Sequence, residues 1–441
     1  MLSRRSFLVG GGVAAGTAVG GYAAWEILLR EHLDDRSTAV GSPASPATSG
    51  TSAGATTPSV SPGARSVVVV LALDGGNDAL NTLVPLNDGL YHDYRSTLSV
   101  ADGTAVGLTG STAYGLSPVL APLAALWDAG QLSTIAGVGF AEQSRSHFAA
   151  LDTWWSGQPG AVRTTGWLGR WLDTQEDPTN PLTAVALGSS APMLIGKRAS
   201  STVILDPTSF SLRAPRGADA AQLAAAFRAT AGPSPSADPS GGGATLLDTA
   251  RQAWPATLRG IDTFGPVLAD DGNADEPGAG SDDGPNGSIT ALLKSAVRII
   301  ELDLGTRVIV VSAGGFDTHA GQAEQHAELL ADVAAGIAAF HAALAESSRA
   351  HDVLLVTTSE FGRRVAENGS GTDHGKGGVS LLVGPMVAPR SIAGGYDLAA
   401  LDKGDLAVEV DTRSLYASAL HWLGGPVDEV LGGGHSPVGL A

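Results

Sequence analysis

Residues 66–78 read Ser-Val-Val-Val-Val-Leu-Ala-Leu-Asp-Gly-Gly-Asn-Asp, and this stretch decides the fold. Four valines followed by Leu-Ala-Leu, with no polar residue alternating among them, suit a strand buried on both faces, as parallel strands are. The run breaks at Asp74, where Gly75 and Gly76 permit a tight turn. Similar apolar runs recur at 132–140, 183–187, 306–312, 352–358 and 379–383, and helical patterns lie between them at 118–129, 146–155, 289–304 and 322–345. Strand and helix alternate. The pattern predicts an α/β fold, a three-layer α/β/α doubly wound and mostly parallel sheet.

The chemistry gathers where these strands end. The first stops at Asp74-Gly75-Gly76-Asn77-Asp78, the run from 306 at Gly314-Gly315-Phe316-Asp317-Thr318-His319, and the run from 352 at Ser359-Glu360-Phe361-Gly362-Arg363. In a parallel sheet those ends share one edge, where open α/β folds bind ligands. Just beyond lies Gly371-Thr372-Asp373-His374-Gly375, a second Asp/His cluster framed by glycines. Carboxylates and imidazoles converging at one edge predict a divalent metal ion. Zinc or manganese suits the mixed oxygen and nitrogen donors, and magnesium or calcium if the histidines stay off the ion. A further element, Gln143-Ser144-Arg145-Ser146-His147-Phe148, opens the helical pattern after the 132–140 run. A hydroxyl at a helix start beside an arginine suits an anion such as phosphate or sulfate, with Arg145 as a clamp, and near a metal that hydroxyl can serve as nucleophile. His326 reaches the site only if its helix begins at the same edge.

Composition narrows the function classes. The 441 residues include 59 Gly and no Cys, and 44 acidic side chains against 26 Lys plus Arg give a formal charge of -18. Without cysteine there is no thiolate metal site and no cysteine nucleophile. The acidic balance argues against nucleic acid as a partner. Arg4 and Arg5 precede Phe7-Leu8 and a Gly/Ala-rich, weakly apolar stretch at 9–29, which reads as a twin-arginine export signal or anchor over residues 1–36. The protein is therefore expected outside the cytoplasm, with membrane contact only through this segment if it stays uncleaved. Residues 37–65 form a Ser/Thr/Pro/Gly linker, and 66–441 a single domain with loop insertions near 231–243 and 269–287.

These motifs together resemble domain-of-unknown-function family 1501 over about residues 66–423. The twin-arginine leader, Leu73-Asp74-Gly75-Gly76-Asn77-Asp78, Arg145-Ser146-His147-Phe148, Gly315-Phe316-Asp317-Thr318-His319, Ser359-Glu360-Phe361-Gly362-Arg363 and Asp373-His374-Gly375 carry the likeness. The family is similar to the alkaline phosphatase and sulfatase superfamily, which implies an alkaline-phosphatase-like, metal-dependent hydrolase fold with a hydroxyl or modified nucleophile at the second strand. By position Asp74 resembles the first-strand metal ligand, Asp317 and His319 the mid-chain pair, Glu360 a later strand-end ligand and His374 the final histidine. Asp373 joins this metal set, orienting His374. Ser146, flanked by Arg145 and His147, is the preferred nucleophile over Ser144, because the likeness covers Arg-Ser-His-Phe. Two departures stand out: Phe316 replaces the family's usual tryptophan, and Ser359-Glu360-Phe361 lacks the superfamily's Asp-His pair, so a second metal would be missing or held differently. The expected activity is hydrolysis of phosphate or sulfate esters, on a small anionic ester or an envelope polymer, after passage through the twin-arginine machinery. The rival is a non-catalytic envelope protein that keeps the fold for binding or assembly.

Overall fold

The computed structural model describes residues 63, 65–160, 164–212, 219–230, 246–269 and 288–441. The leader at 1–36, the linker apart from residues 63 and 65, and the insertions at 231–243 and 269–287, apart from Ala269, lie outside them.

The chain divides into two units. The smaller comprises Met1–Ser61 and Ser211–Asp262. Its described part holds the helix Ala220–Thr230 and most of the helix Leu246–Ala269, with an ion pair of 2.6 Å between Arg228 and Asp262. The sequence reading places neither helix. The larger unit, Pro62–Phe210 with Thr263–Ala441, carries the sheets and every candidate site residue.

Its strands are β1 (Val67–Leu73), β2 (Leu83–Pro85), β3 (Val106–Gly107), β4 (Tyr114–Leu116), β5 (Leu132–Gly139), β6 (Ala184–Leu187), β7 (Thr202–Ile204), β8 (Val308–Ala313), β9 (Val353–Thr358), β10 (Gly378–Val383), β11 (Ile392–Gly394) and β12 (Val410–Asp411). The large sheet runs β11-β5-β10-β9-β1-β8-β6-β7, with β12 also on β5, while β2, β4 and β3 make a small antiparallel sheet. β1 sits between β8 and β9 and is parallel to both, with Leu71 opposite Val311 on one side and Thr357 on the other. The strand β10 departs from the parallel rule, lying antiparallel to both β9 and β5. Two reversals restore direction. β5 therefore ends at the same edge as β1, β8 and β9, and β10 begins there.

Both faces of the sheet are covered. Val67, Val69, Leu71 and Leu73 pack into a core with Leu292, Leu293, Ala296, Leu330, Val333 and Ile337 from two helices, Ile289–Glu301 and Gln322–Ala345. Val68 and Val70, alternate residues that point the other way, are equally buried. On that side the helix Thr412–Trp422 buries Leu415, Tyr416 and Leu420 and donates from the Trp422 indole to the Val67 carbonyl at 2.9 Å. A strand buried on two faces needs apolar residues at every position, which is what residues 67–73 supply. The helix Ile289–Glu301 places Ile289, Leu292, Leu293, Ala296 and Ile300 on one stripe and is capped by Ser288, whose hydroxyl accepts from the Ala291 N–H. Where one helix is expected over 118–129, the chain forms a 3-10 turn, Pro118–Leu123, and then the helix Ala124–Asp128, because Pro122 has no N–H to give.

Candidate metal centre

Five chain segments meet at the shared strand edge. Asp317 and His319 follow β8, Glu360 follows β9, and Asp74 follows β1. His147 is the first residue of the helix His147–Ser156, which follows β5. His374 arrives from the opposite sense, just before β10, and only the antiparallel course of that strand brings it to this edge.

Three histidines surround one carboxylate. His374 Nε2 lies 2.9 Å and His319 Nε2 3.0 Å from Asp317 Oδ1, and His147 Nε2 lies 3.4 Å from Asp317 Oδ2. The Nε2 atoms of His319 and His374 are 2.8 Å apart. Each imidazole uses its other nitrogen elsewhere. His374 Nδ1 meets the Arg145 carbonyl at 2.7 Å, His147 Nδ1 meets Glu360 Oε1 at 2.9 Å, and His319 Nδ1 lies 3.4 Å from Asp373 Oδ1. Each Nδ1 faces an acceptor that can hold its proton, which would leave each Nε2 lone pair for an ion; with no ion between them, a proton on the His374 Nε2 lets it donate to Asp317. Lone pairs crowded in this way repel unless a cation or added protons sit among them. Ligands about 2 Å from a tetrahedral ion stand about 3.3 Å from one another, close to the spacings here. Among the described residues, His147, Asp317 and His374 form a group whose ligand atoms all lie within 4.8 Å of one another, and His319 stands beside it. The donor set thus fits a divalent ion.

Asp317 is prepared for that role. Partial burial opposes its charge, but hydrogen bonds from His374 and Arg363 and the nearby positive charges outweigh it and hold the carboxyl at about 2. Arg363 itself is fully buried. Its guanidinium donates to Asp317 Oδ1 (2.8 Å) and to the carbonyls of Gly75, Gly76, Phe316 and Thr372, tying four site segments together. Gly75 belongs to this junction for a steric reason: its φ is +124°, and a Cβ there would stand 2.3 Å from the Asp317 nitrogen.

The remaining candidates occupy other positions. Glu360, expected as a ligand, is buried behind His147 and accepts the Gly75 N–H with both oxygens, at 2.8 and 3.0 Å. Asp74 is half-buried, and burial together with the Glu360 charge lifts its carboxyl to about 7, an environment relieved by a proton or a cation. Asp373, expected to orient His374, stands against His319 instead and is held by Asn368 at 3.0 Å; the Arg145 carbonyl is what orients His374. Asp78 turns away into a buried pair with Arg95 and accepts from Gln322. Arg145 places its guanidinium on Asp405. Ser144 accepts the Ser146 N–H at 3.1 Å, whereas the exposed Ser146 hydroxyl makes no capping bond. Phe361 stacks on His374 with ring centroids 4.3 Å apart.

His326 is buried one turn into its helix, with Nε2 2.9 Å from Asn77 Oδ1 and outside the metal cluster. Burial, only partly offset by the Asp78 charge and reinforced by Arg95 and Arg363, pulls it down to about 4. In the unfolded chain histidine titrates near about 6.5, so between there and about 4 the unfolded state binds a proton that the folded state refuses. Its contribution is complete above the unfolded value and is lost as pH falls across that window. Thermal melts of metal-free protein should show His326→Gln flattening this part of the pH–stability curve; an unchanged slope would remove His326 as its source.

Comparison with family models gives a match over part of the chain. Residues 280–435 match DUF1501, a protein family of unknown function. Asp317, His319, Glu360, Asp373 and His374 fall inside the DUF1501 match, while Asp74, Ser146 and His147 precede it. No curated protein matches the sequence. Among solved structures, a protein of the alkaline phosphatase superfamily from Vibrio parahaemolyticus is similar at 10% identity, covering 85% of this chain and 70% of its own, with a TM-score of 0.38. The phosphonate monoester hydrolase SpPMH from Silicibacter pomeroyi is similar at 13% identity, with 84% and 75% covered and a TM-score of 0.37. The lipoteichoic acid synthase LtaP from Listeria monocytogenes is similar at 10% identity, with 83% and 74% covered and a TM-score of 0.35.

Proposed function

We propose that the protein is an exported, metal-dependent hydrolase of phosphate or sulfate esters, with His147, Asp317, His319 and His374 holding one divalent ion and Ser146 attacking the ester. The observation that carries this reading is the set of three imidazoles whose outer nitrogens are occupied and whose Nε2 atoms converge on Asp317. Three nitrogens and one carboxylate favour zinc or manganese over magnesium and calcium, which prefer all-oxygen sites. The bound ion would supply positive charge beside the reacting ester and ease ionisation of a neighbouring hydroxyl.

The chain's own groups do the rest. Ser146 immediately precedes His147, and its Oγ gives its proton to solvent and bonds to phosphorus or sulfur while the bond to the departing ester oxygen breaks, that oxygen taking a proton from solvent; water then cleaves the seryl ester and returns the proton to Oγ. The first N–H groups of the helix His147–Ser156 have no side-chain cap and are available to the anion's other oxygens. Glu360 fixes the ring of His147, and Arg363 fixes Asp317. The substrate is a small anionic ester or an envelope polymer.

Aryl phosphates and aryl sulfates test the reaction. Turnover should exceed the metal blank, vanish with a chelator and return with zinc or manganese. Absence of turnover on both ester classes with the ion bound would sink the hydrolase and favour the envelope binding protein. Export by the twin-arginine route rests on Arg4 and Arg5. Replacing both with lysine should trap the protein in the cytoplasm, and normal export of that variant would overturn the route.

A further inference from the structure

Asp405 is fully buried, yet two guanidiniums converge on it. Arg145 places Nε 3.2 Å from Oδ2 and brings Nη2 to the same oxygen, while Arg364 Nε lies 3.9 Å from Oδ1. Oδ1 has no hydrogen-bond partner. The two arginine side chains are 37% and 34% exposed, so each keeps donors in reach of solvent. One carboxylate cannot neutralise two guanidiniums, and the group retains positive charge. Lys376 adds little, since Asp402 takes its ammonium. Asp373, more than half exposed, stands on the other side and offsets part of the charge.

This group is built into the metal centre's own framework. The Arg145 carbonyl accepts from His374, and the Arg364 N–H donates to the Asp373 carbonyl at 2.9 Å. A structural ion pair needs one arginine. A second, 3.9 Å from the same buried carboxylate, donates to the Lys403 carbonyl at 3.4 Å and keeps its remaining donors toward solvent. In a chain of net charge -18, a cationic group beside the site also runs against the overall field.

The geometry points to a second anion-binding position, Arg145 and Arg364 on Asp405, that holds another negative group of the substrate. Resting on the ester-hydrolase reading above, this makes the substrate an ester with at least two anionic groups, as in a multiply sulfated or phosphorylated saccharide. Arg145, read from sequence as the clamp on the reacting ester, serves the neighbouring group instead. Asp405 is the positioning residue that spaces the two guanidiniums.

Inert sulfonates separate this proposal from the reaction. Calorimetry on the full-length protein loaded with zinc would compare alkanesulfonates with α,ω-alkanedisulfonates of increasing chain length. At least one disulfonate should bind about tenfold or more tightly than the monosulfonate of equal length, a difference of about 1.4 kcal/mol. Arg364→Gln should erase that gap, bringing the disulfonate down to the affinity of the monosulfonate. In the wild type the gap should narrow between roughly 0.05 and 0.5 M salt, a measurement that stands if the variant fails to fold. Equal affinity for both classes at every length, a gap that survives Arg364→Gln, or a gap indifferent to salt would each overturn the position. A disulfonate preference without ester turnover would retire the hydrolase and keep the anion position; turnover without the preference would do the reverse.

Discussion

His147→Ala should lower the affinity for zinc or manganese by about a hundredfold or more, the scale of losing a ligand or its immediate support. The expectation follows from the position of its Nε2, 3.4 Å from Asp317 Oδ2, with Nδ1 anchored on Glu360. His374→Ala should do the same. Glu360→Gln should cost less, since it loosens the ring of His147 without removing a donor. Asp74→Asn should leave affinity nearly intact. Equilibrium dialysis of the four variants ranks them, and melting with and without ion gives a second reading, because an ion that binds only the folded state raises the melting temperature. Full affinity in His147→Ala together with loss in Asp74→Asn would return the site to the strand-end carboxylates alone.

Much of this fold is legible in the sequence, and the reason is burial. β1, β5, β8 and β9 are covered on both faces, so they appear as unbroken apolar runs with turn residues at their ends. The direction of β10 is not legible. Gly378–Val383 presents the same apolar run whichever way it points, and its antiparallel course emerges only from pairing with β5 and β9. That reversal also explains why a histidine preceding a strand meets ligands that follow others.

The site divides along a similar line. Asp317, His319 and His374 can be found because they stand among glycines at strand ends. His147 is harder to recognise as a donor. It lies 170 residues from Asp317 by numbering, and the serine beside it draws attention to nucleophilic chemistry instead. Arg363 leaves still less trace, since four of its acceptors are backbone carbonyls, which any residue can supply. Asp405, which redirects Arg145, sits in the short turn Asp402 to Asp405 with nothing in its pattern to separate it from a surface acid. Strand-end carboxylates announce a site; the assignment of ligand, support and charge partner among them depends on distances that spacing does not encode.

Ser146→Ala should reduce ester turnover on the order of a thousandfold or more while the bound ion and the melting temperature stay nearly unchanged. The two serines of this turn are chemically alike but differently placed. Ser144 accepts the Ser146 N–H, and removing that hydroxyl should cost roughly 1 kcal/mol of stability with turnover largely kept. Ser146 opens the helix without capping it, so its hydroxyl carries no structural bond to lose. Activity and stability should therefore separate cleanly between the two variants. A helix cap would show the opposite at Ser146, a lower melting temperature and intact chemistry. Rapid quenching during turnover adds a direct measure, because a phosphoryl or sulfuryl group on Ser146 would appear in the peptide that contains it and be absent from Ser146→Ala. An active Ser146→Ala, or modification found on Ser144, would remove Ser146 from the chemistry and leave the ion with an external nucleophile such as water.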